Sequence, residues 1–295
     1  MIDKNLSTPY VRYTKVQMRF GQLTSVLLIL SLQSVLSAQH NNRTDSNCLY
    51  QEYYEGITAS LTEKHSNDDW DRAHEIFADA FNMVATPYGQ DLEEALEVSV
   101  SLDDDTQTKY ITEKLLLGGI PSDYFRRYPS IINSQWWKQM DFVEFSEKHR
   151  SNFDTELLNR LLSLRTKDSL FNIKYHQFRK GEELVELDYL INESTDIYRE
   201  FNDIVSSLGF PSELNTGYLY RDNKIQTLPT QVVLIHIQQL GEPIISRDFS
   251  YTELVCDGHL TEYQHRSLLT LSRIGGGKGT KHEMTFFYNR YKGQY

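Results

Sequence analysis

Residues 70–84, WDRAHEIFADAFNMV, place Trp70, Ala73, Phe77, Ala80, Phe81 and Val84 on one face of a helix. Steps of three and four residues are the period of an α-helix packed along one side. Ser66 and Asp69 precede this run as a candidate capping box. Upstream, Leu49, Tyr53, Ile57 and Leu61 recur every fourth residue; downstream, Leu92, Ala95, Leu96, Ser99 and Leu102 mark a third helix. Tyr110, Ile111, Leu115 and Leu116 mark a fourth, capped from Asp103–Asp105 and ended by Gly118-Gly119 and Pro121. Short amphipathic helices joined by short polar turns predict antiparallel helical hairpins.

The stretch 121–150 is rich in aromatics and carries Pro121 and Pro129, which reads as an irregular junction. Trp136, Trp137, Phe142 and Phe145 there suit either a sugar-stacking platform or, more in keeping with their place between helical units, an interface. Phe153, Leu157, Leu158, Leu161, Leu162 and Leu164 then open an amphipathic helix. A second long helix runs from Leu184 to Leu208 and is closed by Gly209 and Pro211. The run VVLIHIQQL around His236 fits a buried strand or a buried helix equally well. Thr261 and Gln264 form a capping box for the helix bearing His265, Leu268, Leu269 and Leu271, and the aromatic tail after Gly275–Gly277 suits a short hairpin. The fold class that follows is mainly α. A repeat-like region (39–120), a junction (121–150) and a helical C-terminal domain (151–295) are expected, with at most a small sheet from the Val232 run and the tail.

Composition agrees with a globular chain: 295 residues, 39% apolar and 24% charged. Two cysteines and seven prolines exclude a disulfide scaffold and a collagen-like chain, and the net charge of −11 without a basic patch argues against nucleic acid. Residues 1–38 read as a secretory signal peptide: Arg12, Lys15 and Arg19 precede an apolar run from Leu23 to Leu36, and Ser37-Ala38 follow. That run is shorter than the roughly 20 residues a bilayer core needs, so no stable membrane anchor is expected after cleavage. Removing Lys4, Arg12, Lys15 and Arg19 together with Asp3 takes the net charge from −11 to −14. A periplasmic or extracellular protein is expected. Export makes a bridge between Cys48 and Cys256 possible, two unpaired thiols being the other reading.

Two resemblances follow from these residues. Ala73-x3-Phe77-x2-Ala80 resembles the second helix of a tetratricopeptide repeat, where small residues let helices approach closely. Asp168-Ser169, Gly209-Phe210-Pro211, Leu234-Ile235-His236, Ser272-Arg273 and Gly279-Thr280-Lys281 recur in the order of motifs in an uncharacterised family of bacterial domains. That family has Asp-Gln, a Gly-Trp-Pro-like stop, an apolar run ending in His, Asp-Arg and Gly-Thr-Gln, and the similarity covers roughly 151–283. Ser169, Ser272 and Lys281 depart from it. The resemblance implies architecture rather than an activity.

Catalytic and metal motifs mostly fail. His74-Glu75 and His282-Glu283 lack the second histidine of a zinc-protease helix, since Ala78 and Phe286 stand there. Gly275–Thr280 lacks the spacing of a phosphate loop, and there is neither a GxSxG elbow nor a CxxC pair. No cofactor and no metal are expected. The polar residues that remain are His236, Asp257, His259, His265 and Arg273, with Asp168 as the expected partner of a buried Arg273. A binding or protein-interaction module with a protein or small-molecule partner is the leading expectation. A hydrolase-like enzyme using His236, His259, His265, Arg273 and Asp168 is the alternative, and it needs those side chains to converge.

Overall fold

Helix α1 (Leu49–Thr62) lies against α2 (Trp70–Met83) along the predicted face, where Ala73, Phe77, Ala80 and Phe81 are all buried. The two backbones approach closely at Gly56, where a Cβ would stand 3.0 Å from the Ala80 Cβ. This is a computed structural model, and it describes residues 48–239, 250–274 and 280–292. The signal segment expected at 1–38 and the glycine run at 275–277 lie outside the described residues. One expectation is corrected at once: Asp69 alone caps α2, accepting the Arg72 N–H. Ser66 is taken up in a π-helical turn, Glu63–Asn67, that ends at Asp68 with φ 55°. Lys64, 5% exposed, is tied there to Glu94 and Glu97.

Helices α3 (Gly89–Ser101) and α4 (Asp105–Leu117) follow as predicted, with Asp104 accepting the Thr106 and Gln107 N–H groups. The stretch 121–150 is not irregular. It folds into a 3₁₀ helix (Ser122–Arg127), two short helices, α5 (Pro129–Asn133) and α6 (Gln135–Lys138), and α7 (Phe142–Asn152). Ser134 and Asp141 cap α6 and α7. Its aromatics pack against the core: the Trp137 ring lies 5.4 Å from Phe125 and 4.7 Å from Phe142.

Helix α8 (Thr155–Lys180) and α9 (Leu187–Leu208) form a long antiparallel pair, as the cross-links Arg160–Ser207, Lys167–Glu200 and Lys174–Tyr189 require. Gly181 at φ 71° ends the first, and Gly209 at φ 92° ends the second. Between the short α10 (Glu213–Thr216) and α11 (Thr230–Gln239) sits the one sheet among the described residues, a hairpin of β1 (Leu219–Arg221) and β2 (Lys224–Gln226). Its two-residue turn, Asp222-Asn223, has φ of 53° and 59°, the left-handed pair that matches strand twist. The β element is therefore neither the Val232 run nor the tail. The Val232 run is α11, because Val233, Leu234 and Ile237 bury one helical face and tertiary burial overrides β-branched preference. The tail is α14 (Thr280–Tyr291), reached after α12 (Tyr251–Cys256) and α13 (Glu262–Ile274).

From Cys48 onward the chain is one compact unit, and a main core cluster runs from Tyr53 to Met284, beside a small second one of Leu161, Leu219 and Leu228. The stretches expected as repeat region, junction and C-terminal domain share that core. Cys48 and Cys256 form a disulfide with Cα atoms 4.7 Å apart, joining the start of α1 to the end of α12. Among the described residues no helix is long and apolar enough to cross a membrane. Closing a loop over a sequence separation of 208 should stabilise the fold by about 5 kcal/mol through the entropy of the unfolded chain. Urea titration of the oxidised protein against the Cys48→Ser, Cys256→Ser variant should show that loss, and coincident midpoints would refute it.

Candidate functional site

The residues singled out from sequence fall in separate places. Asp168 on α8 is 1% exposed and meets His236 on α11, whose Nδ1 lies 2.8 and 2.9 Å from its two oxygens. That nitrogen carries the proton and donates it to the carboxylate. Arg165 donates to Oδ2 at 2.6 Å and Asn172 to Oδ1 at 3.0 Å, so the buried charge is closed in by three donors. The side chain of Arg273, expected as its partner, lies outside the described residues. His265 stacks on Tyr251, with ring centroids 5.8 Å apart, and burial lowers its pKa against the pull of Glu262. Asp257 follows α12 as its C-cap. Of the expected site residues whose side chains are described, only His259 lines the cleft described next.

Four segments build that cleft: the start of α3, residues 211–213, residues 227–230, and the loop between α12 and α13 with the first turn after it. Helix α3 begins at Gly89, where a side chain has no room: a Cβ would stand 2.9 Å from the Tyr218 ring. The Gly89 N–H donates to Glu213 Oε2 at 2.8 Å, and Asp91 in the same first turn accepts the Tyr53 hydroxyl at 2.6 Å. The Gly209–Pro211 stop of α9 delivers Ser212 and Glu213, held in place by the Thr230 hydroxyl donating to the Pro211 carbonyl. The loop between α12 and α13 turns at Gly258, φ 76°, and brings His259 Nδ1 to 2.8 Å from Ser212 Oγ. Two buried tyrosines fix this loop, Tyr88 donating to the Gly258 carbonyl and Tyr54 to that of Leu260.

The inner recess, about 60 Å³, is lined by Tyr88, Ser212, Glu213 and His259. It adjoins an open cleft of about 420 Å³ that shares Gln90, Asp91, Thr227, Thr261 and Gln264 with it. Burial pushes the Glu213 carboxyl up to about 8, helped by the Asp91 charge and opposed by the Gly89 N–H. Asp91 rises to about 6 for the same first reason, with Tyr53 opposing and Glu94 adding. Burial lowers His259 against the pull of Asp257. Near neutral pH the recess therefore holds a protonated Glu213, a neutral His259 and an ionised Asp91.

The cleft wall also carries preset donors. The Thr261 N–H donates to Gln264 Oε1 at 2.8 Å and the Gln264 N–H returns to Thr261 Oγ1, which completes the predicted capping box. Thr227 Oγ1 donates to Gln90 Oε1 at 2.9 Å. A backbone N–H can only donate, so Gln264 Oε1 is fixed on Thr261 and its Nε2 is left as a donor. Sequence reasoning missed Gln90, Asp91, Ser212 and Glu213. Asp91 and Glu213 look like ordinary acids at helix starts, and only their burial by distant residues sets them apart. Among the described residues no group of three or more His, Cys, Asp or Glu is arranged to hold a metal ion. No family model matches the chain, and neither a curated protein nor a solved structure matches it.

The folded protein keeps its proton on Glu213 up to about pH 8, whereas an unfolded glutamate releases it near 4.5. The folded state binds more protons in between, so stability falls as pH rises across that window. Glu213→Gln should flatten the fall by about 5 kcal/mol in all, since each tenfold difference in proton affinity is worth about 1.4 kcal/mol. Denaturation of both proteins at several pH values reads this, and parallel profiles would contradict it. Asp168→Ala should cost about 3 kcal/mol, the scale of breaking a buried ion pair. A change below about 1 kcal/mol, the range of an exposed pair, would show that Arg165 and His236 bring no net support.

Proposed function

We propose that the chain is an exported binding module whose cleft takes a small polar ligand. The carrying observation is the cleft itself: about 420 Å³, with the fixed Gln264 amide donor beside the Asp91 carboxyl acceptor. That volume lies in the range of small-molecule sites, which typically run from roughly 300 to 1,000 Å³. The Cys48–Cys256 disulfide and the signal-like segment at 1–38 favour an oxidising compartment, periplasmic or extracellular.

Binding is favoured over hydrolysis for two reasons. The described catalytic candidates divide among three places: Asp168 with His236, His259 in the recess, and His265 on Tyr251. An enzyme needs its acid, base and nucleophile around one reacting atom. Ser212 does face His259, but it is 2% exposed at a recess of about 60 Å³, room for a few waters rather than an acyl group.

Screening small polar compounds by thermal shift tests this reading. At least one compound class should raise the unfolding temperature of the wild type by about 2–4 °C, the shift that ~1 kcal/mol of linkage gives a chain of this size. The same class should leave Gln90→Trp unmoved, because Gln90 is exposed at the cleft mouth and the indole fills it. No shift in any class, or an equal shift in the variant, would overturn the cleft as the binding site.

A further inference from the structure

We propose that the ligand of this cleft is a neutral pyranose, bound through hydroxyl groups that donate to Asp91 and accept from Gln264. The inference rests on the binding reading above and adds the ligand's chemistry.

Gln264 is the anchor. It is 7% exposed, and its amide is not free to flip, because a backbone N–H must meet an oxygen, and the Thr261 N–H meets Oε1. Nε2 is then a donor held at a wall common to the recess and the cleft. Asp91 shares that wall and is its complement. Tyr53 occupies Oδ2, which leaves Oδ1 as an acceptor. A hydroxyl donates and accepts at once, so neighbouring hydroxyls on a ring satisfy a fixed donor and a fixed acceptor together.

Charged ligands fit less well. An anion would face the Asp91 charge, and a cation would face the Gln264 amide hydrogens. The Arg266 guanidinium is itself paired with Glu262, so it adds no free positive charge for an anion. At the lip stands Tyr263, 75% exposed, an aromatic face of the kind on which the C–H side of a sugar ring packs.

Isothermal titration with glucose, galactose and mannose, their methyl glycosides, glucuronic acid and glucosamine tests the class. The protein is the intact oxidised chain, wild type and Gln264→Glu. That variant keeps the capping oxygen and exchanges the donor for an acceptor, and its circular dichroism spectrum and unfolding midpoint, read beside a Gln264→Met variant that removes the donor without adding charge, separate lost recognition from lost folding. At least one neutral hexose or glycoside should bind, with glucuronic acid at least tenfold weaker. Gln264→Glu should weaken the neutral ligand at least tenfold. Equal binding of hexose and methyl glycoside marks a glycan end as the natural source, and loss on methylation marks a free sugar; either supports the class. Glucosamine binding alone, strengthened by Gln264→Glu, would overturn it in favour of a cation. So would silence from all sugars beside a thermal-shift hit of another class. In both cases the cleft would survive as the site, whereas silence from sugars and screen together would remove both readings.

Discussion

The architecture depends on buried carbonyls near the C-terminal end being met by tyrosines near the start. Gly258 and Leu260 sit in a loop that forms no ladder with a neighbouring strand, so their carbonyls need donors from elsewhere. Tyr88 and Tyr54 supply them across sequence separations of 170 and 206. Burial holds both phenols far above their ordinary pKa, so they remain donors at neutral pH. Tyr50 packs against Gly258 so tightly that a Cβ there would stand 2.4 Å from its ring. The disulfide crosses beside the same contact. Without this clasp the loop keeps only short-range bonds such as those of the His259 and Leu260 N–H groups to the Leu254 carbonyl, and the wall that His259 gives the recess loses its support from α1 and Tyr88.

Much of the helical frame is legible in the sequence because it follows local rules. The faces of α1 to α4, the Asp104 cap and the Thr261–Gln264 box are written in spacing and in capping chemistry. Sequence and structure part where local rules lose to tertiary ones. Ser66 has the look of a cap, but the π turn displaces it and leaves Asp69 to do the capping. VVLIHIQQL is ambiguous by period, and its burial on one helical face decides it. The hairpin escapes notice because strands of three residues show no usable alternation, although Asp222-Asn223 is the kind of pair such a turn prefers.

The site is legible only in part, and the reason is physical. Histidine invites attention wherever it stands, so His236 and His259 both stand out. Their roles come from partners that the sequence keeps far away. Asp168 is 68 residues from His236, and Ser212 is 47 from His259. Asp91 and Glu213 carry no local mark at all, because their character is desolvation, a property of what packs around them.

The clasp between α1 and the α12–α13 loop also fixes an order of events. A chain made from its N terminus presents Cys48 and Tyr54 long before Cys256 and Leu260 exist. Contacts of such high sequence separation pay their loop-closure entropy late, and they place the chain among slower folders than its helical content suggests. Helices α8 and α9, whose partners are near neighbours in sequence, can pair early. The face of α1 that later meets the loop stays open until the last third of the chain arrives. For that interval Tyr54, which donates to the Leu260 carbonyl, and Tyr50, which packs on Gly258, lack their partners, and it is there that misassociation between nascent chains would begin.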